Sequence, residues 1–463
     1  MIAMTALEIA RVVGGTLVGD DVTVTQPAVI NSSQAHPGSL FLAVQGERVD
    51  GHDFVSDAMA HGSVLTLATR AVEGAHVIVL DVIVALGKLA EHLRSELTEL
   101  TVIGITGSQG KTTSKELLAA ILSTAGPTVA PEGNFNNEIG APLSLLQCTP
   151  ETRYCIVEMG ARHKGDIAHL SAIAKPNIGV VLRVGSAHVG EFGSIQAITE
   201  TKSELIESLG PEGIAILGRY DAFTPQMSLL HAGKTLYFGN SAECDIRATD
   251  IEVREGRAHF DLVTPEGRSA VGLRIVGMHQ VANALAVASV ATVLGFSLDQ
   301  IASGLSTVET HAKWRMEIEE LDSLVLINDA YNASPDATAA ALQTLALFAQ
   351  ESGGESWAFL GKMHELGEST ASDHAAIGTL ASELGIDHLV CVGAPEYAAE
   401  LSGDSQVSVH RCVDKTEALA VALNLNKGDV ALVKASRSEK LEELAEAISR
   451  QWVAMMRESV DSE

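Results

Sequence analysis

Short apolar segments that are typical of buried strands alternate with segments of helical length from Leu100 to the end of the chain. The first strand candidates are Thr101 to Thr106, Tyr154 to Met159 and Ile178 to Val184, and the pattern restarts at Leu324 to Asp329. Strands that alternate with helices in this way form a mainly parallel sheet covered by helices. The sequence therefore predicts an α/β fold and excludes a fibrous or disordered chain.

The chain has 463 residues, which is enough for about three domains. We predict a small N-terminal α/β domain over residues 1–98. A central domain over residues 99–308 should hold a mainly parallel, phosphate-loop-type sheet flanked by helices, with a small antiparallel insert between Ala242 and Arg274. Residues 309–463 should form a doubly wound, Rossmann-like C-terminal domain.

An excess of acidic residues restricts the partners of the chain. Its 31 Lys and Arg against 59 Asp and Glu give a formal net charge of −28. Nucleic acid and acidic lipid both bind basic surfaces, so we expect neither as a partner, and a polyanion would have to bind in a local pocket. The apolar segments are too short to cross a membrane, and the N-terminus has no secretory signal pattern.

Cysteine usage agrees with a reducing compartment. The five cysteines are scattered and contain no C-x-x-C pair, which indicates neither a disulfide framework nor a zinc site. We therefore expect a cytoplasmic protein, with a monomer as the default state.

A glycine-rich turn lies between the first strand of the central domain and the helix after it, and reads GITGSQGKTT from Gly104. Such a turn directs backbone N–H groups towards phosphate oxygens at the positive end of a helix. Lys111 is placed to reach the β and γ phosphates, and the Thr112 hydroxyl to bind Mg²⁺. Ile105 breaks the usual spacing, so a glycine turn with an exposed lysine is the alternative. The predicted nucleotide-binding residues of this loop are Gly107, Ser108, Gln109, Gly110, Lys111, Thr112 and Thr113.

Two strand ends supply candidate metal ligands near this loop. Glu158 closes one predicted strand, and His188 follows the next. Ligands of open α/β sheets bind at the carboxyl ends of the strands, so the joint position of these residues favours a metal site, although either one alone is more often structural. Lys202 lies on the following helix, where a solvated lysine is the simpler interpretation.

The motifs together resemble the Mur ligase family. The central segments that carry the resemblance are Gly107–Thr113, Asn134–Gly140, Glu158–Ala161 and Ala187–Ser194. Matching segments continue at Pro37–Val44, Gly46–His52, Gly277–Ala286, Trp314–Glu317, Asn328–Asp336 and Leu432–Arg437. The resemblance covers nearly the whole chain in the expected order, and its C-terminal segments are similar to those of the ligases that add D-alanyl-D-alanine.

The resemblance implies a role for each motif. Lys111, Glu158, His188 and Lys202 would be catalytic. Thr112, Glu158 and His188 would hold one Mg²⁺, and Lys202, which is commonly carbamylated in the family, would hold a second. Asn283 would contact adenine, while Arg315, Asp329 and Asn332 would close over ATP. The residues that would face the UDP-muramoyl-peptide are Ser32, Asn134, Asn136, Asn137 and Glu138.

The implied reaction joins D-alanyl-D-alanine to UDP-N-acetylmuramoyl-tripeptide for peptidoglycan synthesis. The terminal carboxylate of the tripeptide would attack the γ-phosphate of ATP, and the amine of the dipeptide would attack the resulting acyl phosphate. The products would be ADP, phosphate and UDP-N-acetylmuramoyl-pentapeptide. Domain closure would keep water away from the intermediate.

Five positions depart from the family pattern: Asn31, Ser33, Arg183, Arg219 and Lys362. They affect the inferred substrate contacts more than the phosphate loop. They also leave open a catalytically degenerate, nucleotide-binding paralogue. A sister ligase with another amino acid acceptor is a further alternative. An NAD-dependent oxidoreductase is disfavoured because no G-x-G-x-x-G follows the strand at Leu324 to Asp329. The third residue of the peptide, lysine or a diamino acid, stays undetermined.

Overall fold

The computed structural model describes residues 1–46, 48–131, 133, 135–185, 189–309, 313–401 and 405–461. Within these ranges the strands form sheets of two, five, nine and six strands. None of the helices in these ranges is long and apolar enough to cross a bilayer. All five cysteines are buried and free.

The N-terminal unit packs a five-stranded sheet in the order β2-β7-β6-β5-β4 against helices, and a short β1–β3 pair lies beside it. A capping box at Thr5 and Glu8 fixes the start of its first helix. Its strands are β1 (Met4–Thr5), β2 (Thr16–Val18), β3 (Thr23–Val24), β4 (Ala28–Val29), β5 (Leu40–Leu42), β6 (Leu65–Ala68) and β7 (His76–Ile78), and its helices are α1 (Ala6–Val13), α2 (Val55–Ala60) and α3 (Val82–Glu96).

The central unit is built on a nine-stranded sheet in the order β16-β15-β14-β13-β12-β11-β8-β10-β9. Its strands are β8 (Thr101–Thr106), β9 (Thr128–Val129), β10 (Tyr154–Glu158), β11 (Ile178–Val181), β12 (Ile214–Gly218), β13 (Lys234–Gly239), β14 (Ile246–Arg254), β15 (Arg257–Thr264) and β16 (Gly267–Val276). Its helices are α4 (Lys111–Ser123), α5 (Gly140–Leu145), α6 (Asp166–Ala174), α7 (Val189–Phe192), α8 (Ile195–Glu207), α9 (Gln280–Val293) and α10 (Leu298–Thr307).

The antiparallel strands predicted between Ala242 and Arg274 form one edge of this sheet. Strand β14 pairs with β13 in parallel through Phe238 and Ile246, and then β14, β15 and β16 run antiparallel. The insert is therefore continuous with the parallel sheet. At the other end of the sheet, β8 lies between β10 and β11, so Glu158 pairs with Ile105 and Val181 with Thr106. This register brings the carboxyl ends of the three strands to the same edge.

The C-terminal unit has a six-stranded sheet in the order β17-β18-β22-β19-β20-β21, parallel except for the antiparallel edge strand β17. Two apolar clusters, one on helices α11 and α12 and one on α14, cover the sheet. Its strands are β17 (Glu317–Leu321), β18 (Leu324–Asn328), β19 (Ser356–Leu360), β20 (His388–Val392), β21 (Ser408–Cys412) and β22 (Val430–Lys434), and its helices are α11 (Pro335–Ser352), α12 (Thr370–Glu383), α13 (Lys415–Val421) and α14 (Glu442–Asp461).

Candidate functional site

The predicted phosphate loop connects β8 to α4. Gly110 precedes the helix in the left-handed region, with φ of 82°. A Cβ at this position would lie 2.1 Å from Oδ1 of Asn283 on α9, so both the backbone conformation and the close approach of α9 require glycine. The Lys111 ammonium donates to the Gly107 carbonyl at 2.7 Å. The lysine is thereby folded over the loop, where a bound phosphate would be within its reach.

Glu158 connects this loop to the asparagine-rich segment. Its Oε2 accepts a hydrogen bond from the Thr112 hydroxyl at 3.0 Å, and its Oε1 accepts one from the Asn136 amide at 2.9 Å. Glu158 is 1% exposed and Thr112 is 4% exposed. A buried carboxylate beside a threonine hydroxyl is a set of hard oxygen donors, which fits Mg²⁺.

Lys202 lies on α8 and is only 6% exposed, so the solvated position considered from the sequence is wrong. Burial, and secondarily the charge of Lys111, lowers the pKa of Lys202 to about 7. Burial also lowers the pKa of Lys111, although the Glu158 carboxylate opposes this shift. The Arg315 charge adds to the lowering at Lys111. The ammonium form of Lys202 is therefore unfavourable, and near neutral pH much of Lys202 carries an uncharged amine.

A cavity of about 910 Å³ separates the phosphate loop and α9 from the C-terminal sheet. The predicted nucleotide-binding residues that line it are Ser108, Gln109, Gly110, Thr113, Asn283, Arg315, Asp329 and Asn332. The remaining three loop residues of the prediction, Gly107, Lys111 and Thr112, lie directly beside them in sequence. The structure thus brings residues from two sheets to one cavity.

A buried ion pair organises the C-terminal wall of this cavity. The Lys434 ammonium donates to Oδ2 of Asp329 at 2.6 Å and to the carbonyl of Asn332 at 2.8 Å. Lys434 is 2% exposed. The other oxygen of Asp329 accepts from the backbone N–H of Met316 at 3.1 Å. Asp329 therefore orients its neighbours as well as facing the cavity.

Arg315 is presented to the cavity by an unusual backbone. Its neighbours Trp314 and Met316 both lie in the left-handed region, with φ of 60° and 53°, a conformation that side chains other than glycine adopt rarely. The Arg315 guanidinium lies 3.7 Å from the ring centroid of Tyr331, and Arg437 covers Trp314 at 4.3 Å. Cation–π contacts hold both arginines against aromatic faces.

Three family models match consecutive parts of the chain. They are the Mur ligase family catalytic domain at residues 28–109, the Mur ligase middle domain at 105–291, and the Mur ligase glutamate ligase domain at 314–437. The UDP-N-acetylmuramoyl-tripeptide–D-alanyl-D-alanine ligase of Mycobacterium tuberculosis is 38% identical, over 97% of this chain and 98% of the relative. The chain belongs to the Mur ligase family.

Solved structures extend this similarity to three dimensions. A crystal structure of MurF from Acinetobacter baumannii superposes on this Mur ligase with a TM-score of 0.88 at 33% identity, over 97% of this chain and 99% of the other. The MurF ligase from Thermotoga maritima, solved in complex with ADP, has a TM-score of 0.80 at 31% identity, over 93% and 98%. These comparisons confirm the predicted family and its α/β, three-domain architecture.

Some predicted site residues of this Mur ligase are placed apart from the cavity or are not described. His188 and Asn134 lie outside the described residues. Ser32 is buried at the start of a short 3₁₀ helix in the N-terminal unit. The Asn137 side chain accepts a hydrogen bond from the backbone N–H of Gly140 at 2.9 Å, which fixes the entry to α5. Glu138 is exposed. The roles predicted for these residues stay predictions.

The departures from the family pattern lie at different places in this Mur ligase. Asn31 accepts hydrogen bonds from the backbone and hydroxyl of Ser33 and so caps the 3₁₀ helix. The carbonyl of Arg183 accepts from the backbone N–H of Ser108 at 3.0 Å, so this position supports the phosphate loop through its backbone. Arg219 pairs with Glu243 at 2.6 Å, and Lys362 is exposed.

Sequence reasoning missed several residues of the cavity wall. The unassigned lining residues include His279, Gln280, Tyr331, Ser334 and Lys434. Lys434 carried a usable signal, because it ends a predicted buried strand, as Glu158 does. The contact from Gln109 to the Ser334 hydroxyl, at 3.5 Å, joins residues that are far apart in sequence and had no such signal.

Proposed function

We propose that this Mur ligase joins D-alanyl-D-alanine to the terminal carboxylate of UDP-N-acetylmuramoyl-tripeptide, with ATP as the energy source, in peptidoglycan synthesis. The observation that carries the proposal is the cluster of Lys111, Thr112 and Glu158 beside a cavity shared by two sheets. Support also comes from relatives named for this reaction, which match over nearly the full length of both chains. We place the reaction in the cytoplasm and expect a monomer.

The reaction requires two anions to approach each other. The carboxylate of the tripeptide attacks the γ-phosphate, so the negative charge that accumulates must be neutralised by the site. Lys111 would hold the β and γ phosphates. Asn283 would contact the adenine, and Arg315, Asp329 and Asn332 would enclose the nucleotide from the C-terminal side. The dipeptide amine then attacks the acyl phosphate, which forms the amide and releases phosphate.

The donor set around the phosphate loop fits a divalent cation. Thr112 and Glu158, with His188 as the third predicted ligand, would hold one Mg²⁺, and the carbamate of Lys202 would hold a second. Mg²⁺ bound there would neutralise negative charge on the phosphates. The Asn136 amide already orients the Glu158 carboxylate by a hydrogen bond at 2.9 Å.

The three sheet-containing units would divide the work. We assign residues 1–98 to the UDP group, with Ser32 in its pocket, and residues 99–308 to ATP. Residues 309–463 would close over ATP and bind the dipeptide. The asparagine-rich segment, with Asn134, Asn136, Asn137 and Glu138, would face the muramoyl-peptide between the first two units.

An acceptor-dependence assay tests the proposal. Phosphate release is measured with ATP, Mg²⁺ and UDP-N-acetylmuramoyl-tripeptides that carry lysine or a diamino acid, with and without D-alanyl-D-alanine. We expect rapid release only with the dipeptide present, and a product whose mass equals the pentapeptide. Release with another amino acid would identify a sister ligase. No release with any acceptor would identify a nucleotide-binding paralogue.

The variant Lys111→Ala tests the role of the loop lysine in the same assay. The Lys111 ammonium contacts a loop carbonyl and is not part of an apolar core, so the fold should survive the substitution. Turnover should fall by about a thousandfold or more, because a charge that stabilises the transition state is removed. Circular dichroism and thermal unfolding would verify the fold, and wild-type turnover would refute the assignment of Lys111.

A further inference from the structure

Two glycines bring the central and C-terminal units into direct backbone contact. Gly190 lies on α7, and Gly367 begins a short 3₁₀ helix at Gly367–Ser369 that follows β19. The backbone N–H of Gly190 donates to the carbonyl of Glu365 at 2.9 Å. A Cβ on Gly190 would lie 2.3 Å from the nitrogen of Gly367, and a Cβ on Gly367 would lie 2.9 Å from the Cα of Gly190. Neither position has room for a side chain.

The reason for glycine differs between the two positions. Gly367 has a φ of 64°, so its own backbone conformation favours glycine. Gly190 belongs to a helical turn and does not have a positive φ, so alanine would fit its local backbone. The obstacles to a Cβ at Gly190 are backbone atoms of the other unit. The three atoms nearest to such a Cβ all belong to the C-terminal unit, so this unit constrains Gly190.

Two further glycines of the central unit lie close to side chains of the C-terminal unit. A Cβ on Gly185 would lie 2.6 Å from Oδ2 of Asp336, and Gly185 donates its backbone N–H to the hydroxyl of Ser108 in the phosphate loop. Gly256, in the turn between β14 and β15, also lies against the ring of Phe348 on α11. Both units line the cavity, so its shape depends on how closely they approach.

We infer that Gly190 is a positioning residue for the ligation reaction. Because it lacks a side chain, the C-terminal unit can approach the phosphate loop and bring Arg315, Asp329 and Asn332 onto the nucleotide. A methyl group at Gly190 would meet backbone atoms that cannot rotate away, and it would hold the two units apart. The kinetic part of this inference rests on the proposed function, whereas the structural part does not.

Gly190→Ala separates this role from a contribution to folding. Alanine is compatible with the helical backbone of Gly190, so each unit of the variant should still fold, which circular dichroism and cooperative thermal unfolding would verify. The kcat for phosphate release should fall about tenfold to a hundredfold, because the C-terminal side chains are misplaced. With an ATP analogue and Mg²⁺ bound, small-angle scattering should give a larger radius of gyration for the variant than for the wild type.

Gly210→Ala is the matched control. A Cβ added to Gly210 would meet no atom within 4 Å, and Gly210 does not have a positive φ, so this variant should keep the wild-type kcat and radius of gyration. A Gly190→Ala variant with wild-type kcat and radius of gyration would overturn the inference. Loss of cooperative unfolding in the Gly190→Ala variant would also overturn it, since the role would then be in folding.

The scattering measurement also separates this inference from the proposed function. If the wild type releases no phosphate with D-alanyl-D-alanine, the proposed function fails. The radius of gyration of the nucleotide-loaded proteins still decides the role of Gly190: a larger value for Gly190→Ala supports it, and an equal value refutes it.

Discussion

At the scale of the residue, burial changes the chemistry that Lys202 can perform. An ammonium group cannot react with CO₂, whereas an uncharged amine can form a carbamate, which converts a cation into an anion. Burial and Lys111 lower the pKa of Lys202 to about 7, so the reactive form is well populated at neutral pH. The same environment that makes a charged Lys202 unfavourable therefore favours its modification.

We predict that Lys202 carries a carbamate and that activity depends on bicarbonate. The kcat should rise as the pH increases through about 7, because deprotonation of Lys202 supplies the amine. The pKa of Lys202 in the folded state lies below its ordinary value of 10.5, so folding releases a proton from this group at pH values between about 7 and 10.5. The contribution of Lys202 to the free energy of unfolding therefore rises with pH across that range. Measurements of kcat with and without bicarbonate, and ¹³C NMR with labelled bicarbonate, test the prediction.

Lys164 is a suitable control for this experiment. It is exposed and paired with Glu200 at 2.8 Å, and this hydrogen bond raises its pKa, so it should stay protonated. Lys164→Ala should keep the carbamate signal, while Lys202→Ala should lose the signal and the activity. Chloride or short carboxylic acids at high concentration should partly restore the activity of Lys202→Ala. A carbamate signal that persists in Lys202→Ala would contradict the assignment.

At the scale of the element, helix α4 fixes the asparagine-rich segment as well as the phosphate loop. Lys115 lies one turn after Lys111 and is 1% exposed. Its ammonium donates to the carbonyls of Pro131 and Gly133, each at 2.6 Å. The chain then reaches Asn136, whose carbonyl accepts from the N–H of Gly160 at 2.8 Å. One helix therefore supports both the nucleotide loop and the segment predicted to face the peptide.

Lys115→Met should weaken this support. The substitution removes hydrogen bonds from a buried charged group and leaves carbonyl acceptors without that donor, so unfolding free energy should fall by about 3 kcal/mol. The KM for the UDP-muramoyl-peptide should rise more than the KM for ATP, because the asparagine-rich segment loses its anchor. Urea unfolding and steady-state kinetics would measure both effects.

Lys88→Met provides the comparison for Lys115→Met. Lys88 is exposed, and its ammonium donates to the Val13 carbonyl over a long distance of 3.4 Å. Loss of this contact should change stability by about 0.5 kcal/mol or less. Equal increases in both KM values for Lys115→Met would argue against a specific effect on the asparagine-rich segment.

At the scale of the whole molecule, a chain with a net charge of −28 places several basic side chains around one cavity. Lys313, Arg315, Lys434, Arg257 and Arg274 line it. Three acidic residues, Glu309, Glu317 and Asp329, line it as well, and two of them pair with Arg274 and Lys434. The basic groups still outnumber the acidic ones, so the cavity is less negative than the molecule as a whole. The expectation that a polyanion would bind in a local pocket stays a prediction.

Because this cavity is lined by two units, nucleotide binding should stabilise both. An ATP analogue with Mg²⁺, at about one hundred times its Kd, should add about 2.7 kcal/mol to the unfolding free energy. Differential scanning calorimetry should show the transitions of the central and C-terminal units moving upwards together. Adenosine, which lacks the phosphates, should produce a smaller shift. Movement of one transition alone would show that the nucleotide binds to a single unit.

The periodic sequence allowed most elements near the site to be predicted. Strand β8 and helix α4 occupy Thr101–Thr106 and Lys111–Ser123, as the apolar run and the glycine-rich turn predicted. Strand β10 ends at Glu158 and β22 ends at Lys434, because buried parallel strands leave a polar residue where they emerge. The edge position of the antiparallel strands had no such signal, since edge pairing depends on which strands are neighbours.

What the sequence determined by itself is the set of local structures and chemical groups: the phosphate loop, the strand ends and the family motifs. Local backbone preferences and the periodicity of burial specify these features, and both are readable from neighbouring residues. Only the tertiary structure decided that Lys202 is buried beside Lys111, that Lys434 pairs with Asp329, and that Gly190 meets Gly367. These contacts join residues distant in the chain, so they arise from packing between elements, which no local pattern encodes.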